Sequence, residues 1–414
     1  MGTTASCHRV THDPIQIVDN KINFHNIPQK LEARTKMLNG QWPGRGCEHC
    51  KLTEDAGGHS DRMNHLDMQG VYAPPELEKN LNAVNVTPTQ LEIYFSNTCN
   101  LKCIYCNSKF SSTIDNENRL HGEFHWGEYA LGKNVWLPGK LGTDVQWGDH
   151  KEINDLYSEA SALSDKLFDW LNENIKNLKK IMILGGEPFL QKETERLIKF
   201  LENSNNPELT LVIFSNLTVD TIKVQNWLAR MWDLVAKRKI YNLQVVGSLD
   251  CWGPQAEYVR NGLNLEKFVS NFEYMLSKTK ITVSINSALM ALTVPTMPDL
   301  VKQINSWSRQ YRPVYWSMMK AGDVRRPYLN PTIFGDKILN LGVNETIDLF
   351  DTQNDPIKKG YLNNLKGIAK ECEKTEPNLL HQQQLKVYLK ELDRRRNTNY
   401  ETLFPSIAEL LNHV

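Results

Sequence analysis

From Leu91 onward the chain alternates short apolar runs with longer stretches whose apolar residues recur every three or four positions. Leu91 to Phe95 is the first strand this pattern predicts. Leu163, Leu167, Leu171, Ile175 and Leu178 then share one face of a helix over Ala160 to Leu178. Lys180 to Leu184 reads as a buried strand ending in Gly185-Gly186, and a helix follows from about Lys192 to Asn203. The alternation continues with a strand over Leu209 to Phe214, a helix over Val219 to Val235, and a strand over Leu243 to Leu249. A helix near Leu265 to Ser277, a strand over Ile281 to Leu289, a helix near Met297 to Ser308 and a strand over Val314 to Met318 complete it. Repeated strand–helix units predict a parallel sheet covered by helices, closed or partly closed as a barrel. In such folds the chemistry gathers at the carboxyl ends of the strands.

Outside this alternation the pattern weakens. Residues 1–90 are rich in His, Gly and Pro, and Pro74-Pro75 and Thr87-Pro88 read as a linker. Residues 107–150 are rich in Gly and Trp, which predicts a long loop or small excursion; Trp126, Trp136 and Trp147 argue that it is ordered. Near the carboxyl end, Leu380, Leu385, Tyr388 and Leu392 mark one face of a helix over Leu379 to Asp393. Arg394-Arg395-Arg396 reads as its solvated end, favourable at the helix's negative terminus, and Thr402 to Leu411 as a packing cap. The expected divisions are 1–90, 91–330 and 331–414.

Composition narrows the function classes. The chain has 414 residues, enough for two or three domains. Lys+Arg and Asp+Glu both number 48, so bulk charge attraction to nucleic acid or to an anionic membrane is disfavoured. No apolar stretch approaches the ~20 residues of a membrane span. Met1 to Asp13 carry His, Arg, Asp and Cys where a secretory signal would be apolar. The expectation is a cytoplasmic protein with no membrane partner. There, eight cysteines in close spacings suggest metal ligation before disulfides. Cys251 and Cys372 stand alone and read as buried structural residues.

The run Cys99-Asn-Leu-Lys-Cys103-Ile-Tyr-Cys106 follows the first predicted strand at once. Three thiolates in one tight loop can hold three irons of a 4Fe–4S cluster and leave the fourth open. Structural zinc prefers four closed ligands, usually paired C-x-x-C units, and fits this spacing poorly. Further motifs fall at later strand ends: Gly185-Gly186-Glu187-Pro188, then Asn216 in Phe214 to Thr218, then Ser248 and Asp250, then Arg260 in Tyr258 to Gly262. Taken singly, each is an ordinary turn or surface charge.

Together, in this order, they resemble the radical S-adenosylmethionine (SAM) superfamily over about residues 91–320. The resemblance implies an α/β fold: a partial (β/α)6-type radical SAM barrel with a small Cys-containing amino-terminal module and a helical carboxyl-terminal cap. It implies that the open iron chelates SAM, and that one electron from the cluster breaks a sulfonium bond. The resulting 5′-deoxyadenosyl radical takes hydrogen from a substrate. Gly185, Gly186, Glu187 and Pro188 would serve the methionyl amine, Asn216 would lie near SAM, and Ser248 with Arg260 would touch its ribose and carboxylate. Asp250 would serve SAM or substrate, and Tyr105 would pack near the adenine while shielding the cluster. A reductant such as flavodoxin or ferredoxin is implied as partner. No catalytic residue for the substrate step is assigned.

Gly46-Cys47-Glu-His-Cys50, with Glu54, Gly57-Gly58, Ser60, Arg62 and Asn64, resembles twitch- or SPASM-like segments of the same superfamily, here placed before the barrel. Cys7 is a candidate third ligand, and His8, His12, His49 or Cys372 a candidate fourth. A second iron–sulfur cluster, a zinc site and free thiols all remain open. Such segments are common in members that modify peptides, so the expected substrate is a peptide or protein side chain. A small molecule or nucleoside substrate, or a non-catalytic iron–sulfur or zinc protein, are the alternatives.

Overall fold

A computed structural model describes residues 2–7, 10, 12–44, 46–55, 57, 60, 62–63, 86–122, 150–320, 326–350 and 356–413. Its centre is a six-stranded sheet: β1 (Gln90–Tyr94), β2 (Lys180–Leu184), β3 (Asn206–Ser215), β4 (Ile240–Ser248), β5 (Thr282–Leu289) and β6 (Tyr315–Lys320). Each strand pairs with the next in sequence, and every pairing is parallel. Among the described residues no pairing returns from β6 to β1, so the sheet is an open, partial (β/α)6 arrangement. The register aligns Ile93, Ile183, Ile213, Val245 and Val283 in one row across five strands. All five are buried, which is why these strands are apolar runs.

The intervening helices close over this sheet for reasons visible residue by residue. The helix Lys192–Asn203 buries Thr194, Leu197, Ile198 and Leu201, one face at helical spacing. Burying each such Leu or Ile is worth about 1.5–3 kcal/mol. Asp220 caps the helix Thr221–Ala236 through the Lys223 N–H at 3.0 Å, and Asn264 caps Leu265–Lys278 through the Lys267 N–H at 2.7 Å. Caps of this kind contribute about 1 kcal/mol. The helix expected over Ala160 to Leu178 spans His150–Asn174, followed by a tighter turn over Ile175–Asn177.

The amino-terminal segment has its own local order. Gln16–Val18 and Lys21–Asn23 form a hairpin whose turn residues Asp19 and Asn20 both adopt positive φ, 49° and 62°. It docks on the helix His150–Asn174: Phe24 meets the Trp170 ring edge-on at 5.0 Å, and Lys21 reaches Glu173 at 2.8 Å. Helices over Pro28–Leu38 and Glu48–Asp55 follow. Pro74-Pro75, Gly58, Asn64, His8, Trp126, Trp136 and Trp147 lie outside the described residues, as does the side chain of His49.

Two expectations are corrected. Within the stretch read as a loop, Ser112–His121 is a helix, capped by Ser111 accepting from the Ile114 N–H at 3.2 Å. The arginine run after the carboxyl-terminal helix is not a solvated end. The helix extends over Leu379–Arg396, and the Arg395 and Arg396 side chains are 0% and 4% exposed, against 57% for Arg394. Arg396 pairs with Glu117 at 2.9 Å and Arg395 donates to the Gly122 carbonyl at 2.8 Å. The helix Ser112–His121 and the arginine run therefore hold each other. Among the described residues, no helix is long and apolar enough to cross a membrane.

Candidate active site

The cysteine run occupies the loop at the carboxyl end of β1 and is pinned on every side. Ser111 Oγ and Thr113 Oγ1 both donate to the Leu101 carbonyl at 2.7 Å, and the Cys99 N–H donates to Ser112 Oγ at 3.2 Å. The start of the helix Ser112–His121 thus closes the loop from one side. From the other, Arg260–Asn261 pairs antiparallel with Lys102–Cys103, and the Ile104 N–H donates to the Val259 carbonyl at 2.9 Å. A tight turn brings the Cys106 N–H onto the Cys103 carbonyl at 3.0 Å.

Cys99 and Cys106 both lie close enough to Cys103 for a charge there to shift their ionisation. Burial, then its thiol neighbours Cys103 and Cys106, push the Cys99 thiol up. Burial and then Cys103 push Cys106 up to about 12. Burial likewise raises Cys103, with Arg260 acting in the opposite direction. Such thiols stay protonated until a soft metal displaces the protons. Among the described residues, no three His, Cys, Asp or Glu side chains converge on the position of one metal ion. In a cubane each thiolate binds a different iron, so three neighbouring thiols need no common point. The donor set therefore fits a 4Fe–4S cluster with one iron lacking a protein ligand.

Gly185-Gly186-Glu187-Pro188 sits against this loop. A Cβ at Gly186 would lie 2.2 Å from the Thr98 carbonyl oxygen, and Gly185 has φ +108°. The Gly186 and Glu187 N–H groups donate to the Ser96 and Thr98 carbonyls at 3.1 and 2.8 Å. Only glycine permits this approach of β2's end to the loop before Cys99. Glu187 is 1% exposed and accepts from Ser215 Oγ at 2.7 Å, the Asn216 N–H at 2.7 Å and the Phe189 N–H at 3.1 Å. Burial raises its carboxyl to about 7, against the pull of these donors. Its oxygens are thus taken up in joining β2 to β3. Pro188 opens the buried turn Pro188–Leu190.

Asn216 reaches Asn100 inside the cysteine run, Nδ2 to Oδ1 at 2.8 Å, while its own oxygen accepts from Thr218. Asp250 and Arg260 meet as a buried pair: Nη2 donates to Oδ1 at 2.9 Å, and Nε lies 2.8 Å from Oδ2 but off the line of a hydrogen bond. Asp250 also accepts from the Ala288 N–H at 2.8 Å and the Tyr105 hydroxyl at 3.4 Å. Arg260 Nη1 points to the Cys103 sulfur at 3.9 Å, and the guanidinium sits 5.5 Å from the Tyr105 ring centroid. Tyr105, Asp250, Arg260 and Cys103 are one network. Ser248 ends β4, half-buried, and its hydroxyl has no hydrogen-bond partner among the described residues.

At the amino terminus, Cys47 lies within electrostatic reach of both Cys7 and Cys50; burial first, then Cys7, raise its thiol. Glu54, on the helix carrying Cys50, accepts from Ser60 Oγ at 2.5 Å and pairs with Arg62, whose guanidinium lies 5.1 Å from the Trp42 ring. Cys47 thus lies near Cys7 and Cys50, and Glu54, Ser60 and Arg62 are bound to one another. His12 is near Thr3 Oγ1 at 3.5 Å, and Cys372 is fully buried, as is Cys251.

Sequence reasoning missed several residues that build the site. Arg326 and Tyr388 bind carbonyls of the cysteine run, and Glu117 joins Lys102 at 2.8 Å to Arg396 at 2.9 Å. A groove of about 490 Å³ elsewhere, lined by Trp252, Leu265, Glu266, Val269, Ser270 and Glu273, shares no residue with this site.

No protein-family model and no curated protein sequence matches the chain. Among solved structures, the chain is similar to native anSMEcpe with bound AdoMet, at a TM-score of 0.35 and 15% identity over 63% of this chain and 59% of that one. A hexahistidine-tagged form with bound AdoMet gives 0.34 and 17% over 63% and 57%. The native form with AdoMet and a Kp18Cys peptide gives 0.36 and 14% over 78% and 99%. In the first two of these alignments the chain spans less than two thirds of the length of the structure it matches.

Proposed function

We propose that this chain is a radical SAM enzyme whose Cys99, Cys103 and Cys106 hold a 4Fe–4S cluster. The observation that carries the reading is the loop itself: three thiols within one pinned run of eight residues at the carboxyl end of the first strand of an open parallel sheet. When bound, the cluster and SAM would supply one-electron cleavage of a sulfonium bond and a 5′-deoxyadenosyl radical that takes hydrogen from a substrate.

The chain's own groups would position and shield. The Gly185–Pro188 turn brings backbone close to the cysteine run and is the proposed seat of the methionyl amine. The Ser248 hydroxyl, at a strand end and without a partner among the described residues, is the proposed ribose contact. Asn216 fixes Asn100 and with it the first half of the run. Tyr105 covers the network beside Cys103 and keeps water from it. The Arg260 fork is occupied by Asp250, so we assign it to Cys103 and not to the SAM carboxylate.

The proposed substrate is a peptide or protein side chain, a reading supported by the amino-terminal cysteine module. Cys7, Cys47 and Cys50 are its proposed soft-metal ligands, for a second iron–sulfur cluster or a zinc ion. The test is anaerobic reaction of the reduced, reconstituted protein with SAM across a panel of peptides and metabolites. Peptide-dependent 5′-deoxyadenosine formation supports the reading; formation stimulated only by a metabolite or nucleoside overturns the peptide assignment.

A further inference from the structure

The last turn of the cysteine run is held by a side chain more than two hundred positions away. Arg326 Nη1 donates to the Ile104 carbonyl at 2.5 Å, and Nη2 donates to the Cys106 carbonyl at 2.6 Å. Tyr388, on the carboxyl-terminal helix, donates its hydroxyl to the same Ile104 carbonyl at 2.5 Å. A carbonyl oxygen has two lone pairs, and both of Ile104's are used. Arg326 and Tyr388 are 5% and 3% exposed, so these bonds do not compete with water. The Tyr328 and Tyr388 rings lie 5.1 Å apart, which seats the phenol.

The arrangement does two separable things. Geometrically, a planar fork that spans two carbonyls fixes the turn between them, which a single-point donor such as lysine cannot do. Electrostatically, it places a buried guanidinium directly on the Ile104 and Cys106 carbonyls, beside the thiol triplet. A nearby cation stabilises the negative charge that a cluster gains on reduction, and so raises its potential.

We infer that Arg326, which shares the Ile104 carbonyl with Tyr388, is a positioning residue of the cysteine triplet that both fixes the Ile104–Cys106 turn and sets the reduction potential of the cluster. The inference rests on reading that triplet as a cluster site. It makes the carboxyl-terminal helix part of the cofactor site and more than a cap. Outer partners of ligand residues commonly orient them and tune the metal in this way.

The test uses the full chain, reconstituted anaerobically, as wild type, Arg326→Gln, Arg326→Lys and Tyr388→Phe. Iron per chain, the electron paramagnetic resonance signal of the reduced cluster, its midpoint potential and the thermal midpoint are measured. Arg326→Gln should load less iron, alter the resonance signal and shift the midpoint potential to more negative values. Arg326→Lys should keep the potential near wild type while loading less iron, because charge is retained and the two-point grip is lost. Tyr388→Phe should leave the potential unchanged. An Arg326→Gln protein with the wild-type potential and signal overturns the inference, even if its thermal midpoint falls. If Arg326→Gln holds too little cluster to titrate, Arg326→Lys decides: loading between that of Arg326→Gln and wild type, at the wild-type potential, supports the inference, and either full wild-type loading or an equally empty protein overturns it. A wild type that assembles no iron–sulfur cluster refutes the reading of the triplet itself, an outcome distinct from either.

Discussion

Arg260 and Asp250 form an ion pair sealed from solvent, with side chains 8% and 0% exposed and the guanidinium 3.9 Å from the Cys103 sulfur. Removing one partner leaves the other as an uncompensated buried charge. Asp250→Asn or Arg260→Gln should each destabilise the protein by about 3–5 kcal/mol, whereas the double replacement should lose much less than the sum. Urea unfolding of the four proteins checks this. Additive losses would mean that the pair is not coupled.

The close approach of Gly186 to the Thr98 carbonyl gives a second expectation. Gly186→Ala forces a Cβ into backbone and should cost at least about 1–3 kcal/mol, as overpacking does. It should also lower iron loading, since Thr98 adjoins Cys99. Gly367, in the helix Pro356–Lys374, has nothing within 4 Å of its would-be Cβ. Gly367→Ala should be neutral or stabilising by up to about 1 kcal/mol. Parallel thermal melts and iron assays of both variants decide the matter.

A pH dependence follows from His25. Burial first, then the neighbouring Arg34 and Lys30 cations, lower its imidazole from 6.5 to about 3. A group whose folded value is depressed contributes stability that is present above the unfolded value and lost as pH falls toward the folded one. Stability of the amino-terminal segment should therefore fall as pH drops below 6.5, through the window down to about 3. His25→Gln should flatten the fall. Hydrogen exchange of residues 12–38 at pH 7 and pH 5 is the measurement; equal protection losses in wild type and variant would contradict it.

The amino-terminal thiols predict a metal count. Reconstituted wild type should hold more than four irons per chain, the number one cubane supplies, and Cys47→Ala with Cys50→Ala should bring it toward four. SAM cleavage without substrate should persist in the double variant, because it belongs to the other triplet, while product formation falls. Four irons and one zinc in wild type would identify a zinc site, and four irons alone in both proteins would end the second-cluster reading.

The strand–helix core was legible because its burial is periodic. Ile183, Ile213 and Val245 lie in apolar runs, and Leu197, Ile198 and Leu201 recur at helical spacing, so the five sheet strands and the four long helices between Lys180 and Lys320 follow from pattern, while the short helix Pro254–Val259 does not. The thiol triplet and the strand-end motifs could be placed at the ends of strands because each is local in sequence. What pattern does not carry is polar burial. The helix Ser112–His121 has little apolar face; it buries Glu117 and Asn118 beside Ile114, because its partners are Arg395 and Arg396 on the last long helix. Arg260 reads in sequence as a donor to a ligand's carboxylate, and the fold supplies the carboxylate itself from Asp250. Arg326 and Tyr388 are separated from Ile104 by 222 and 284 positions, and nothing local marks either as part of a cysteine loop.

The central claim is that Cys99, Cys103 and Cys106 together hold a cluster that cleaves SAM. It is tested most directly by 5′-deoxyadenosine formation from SAM in the anaerobically reduced wild type and in Cys99→Ala, Cys103→Ala and Cys106→Ala. The account predicts product from the wild type and none from any of the three variants, because each loses a thiolate ligand. Product at the wild-type rate from any one of them would contradict it.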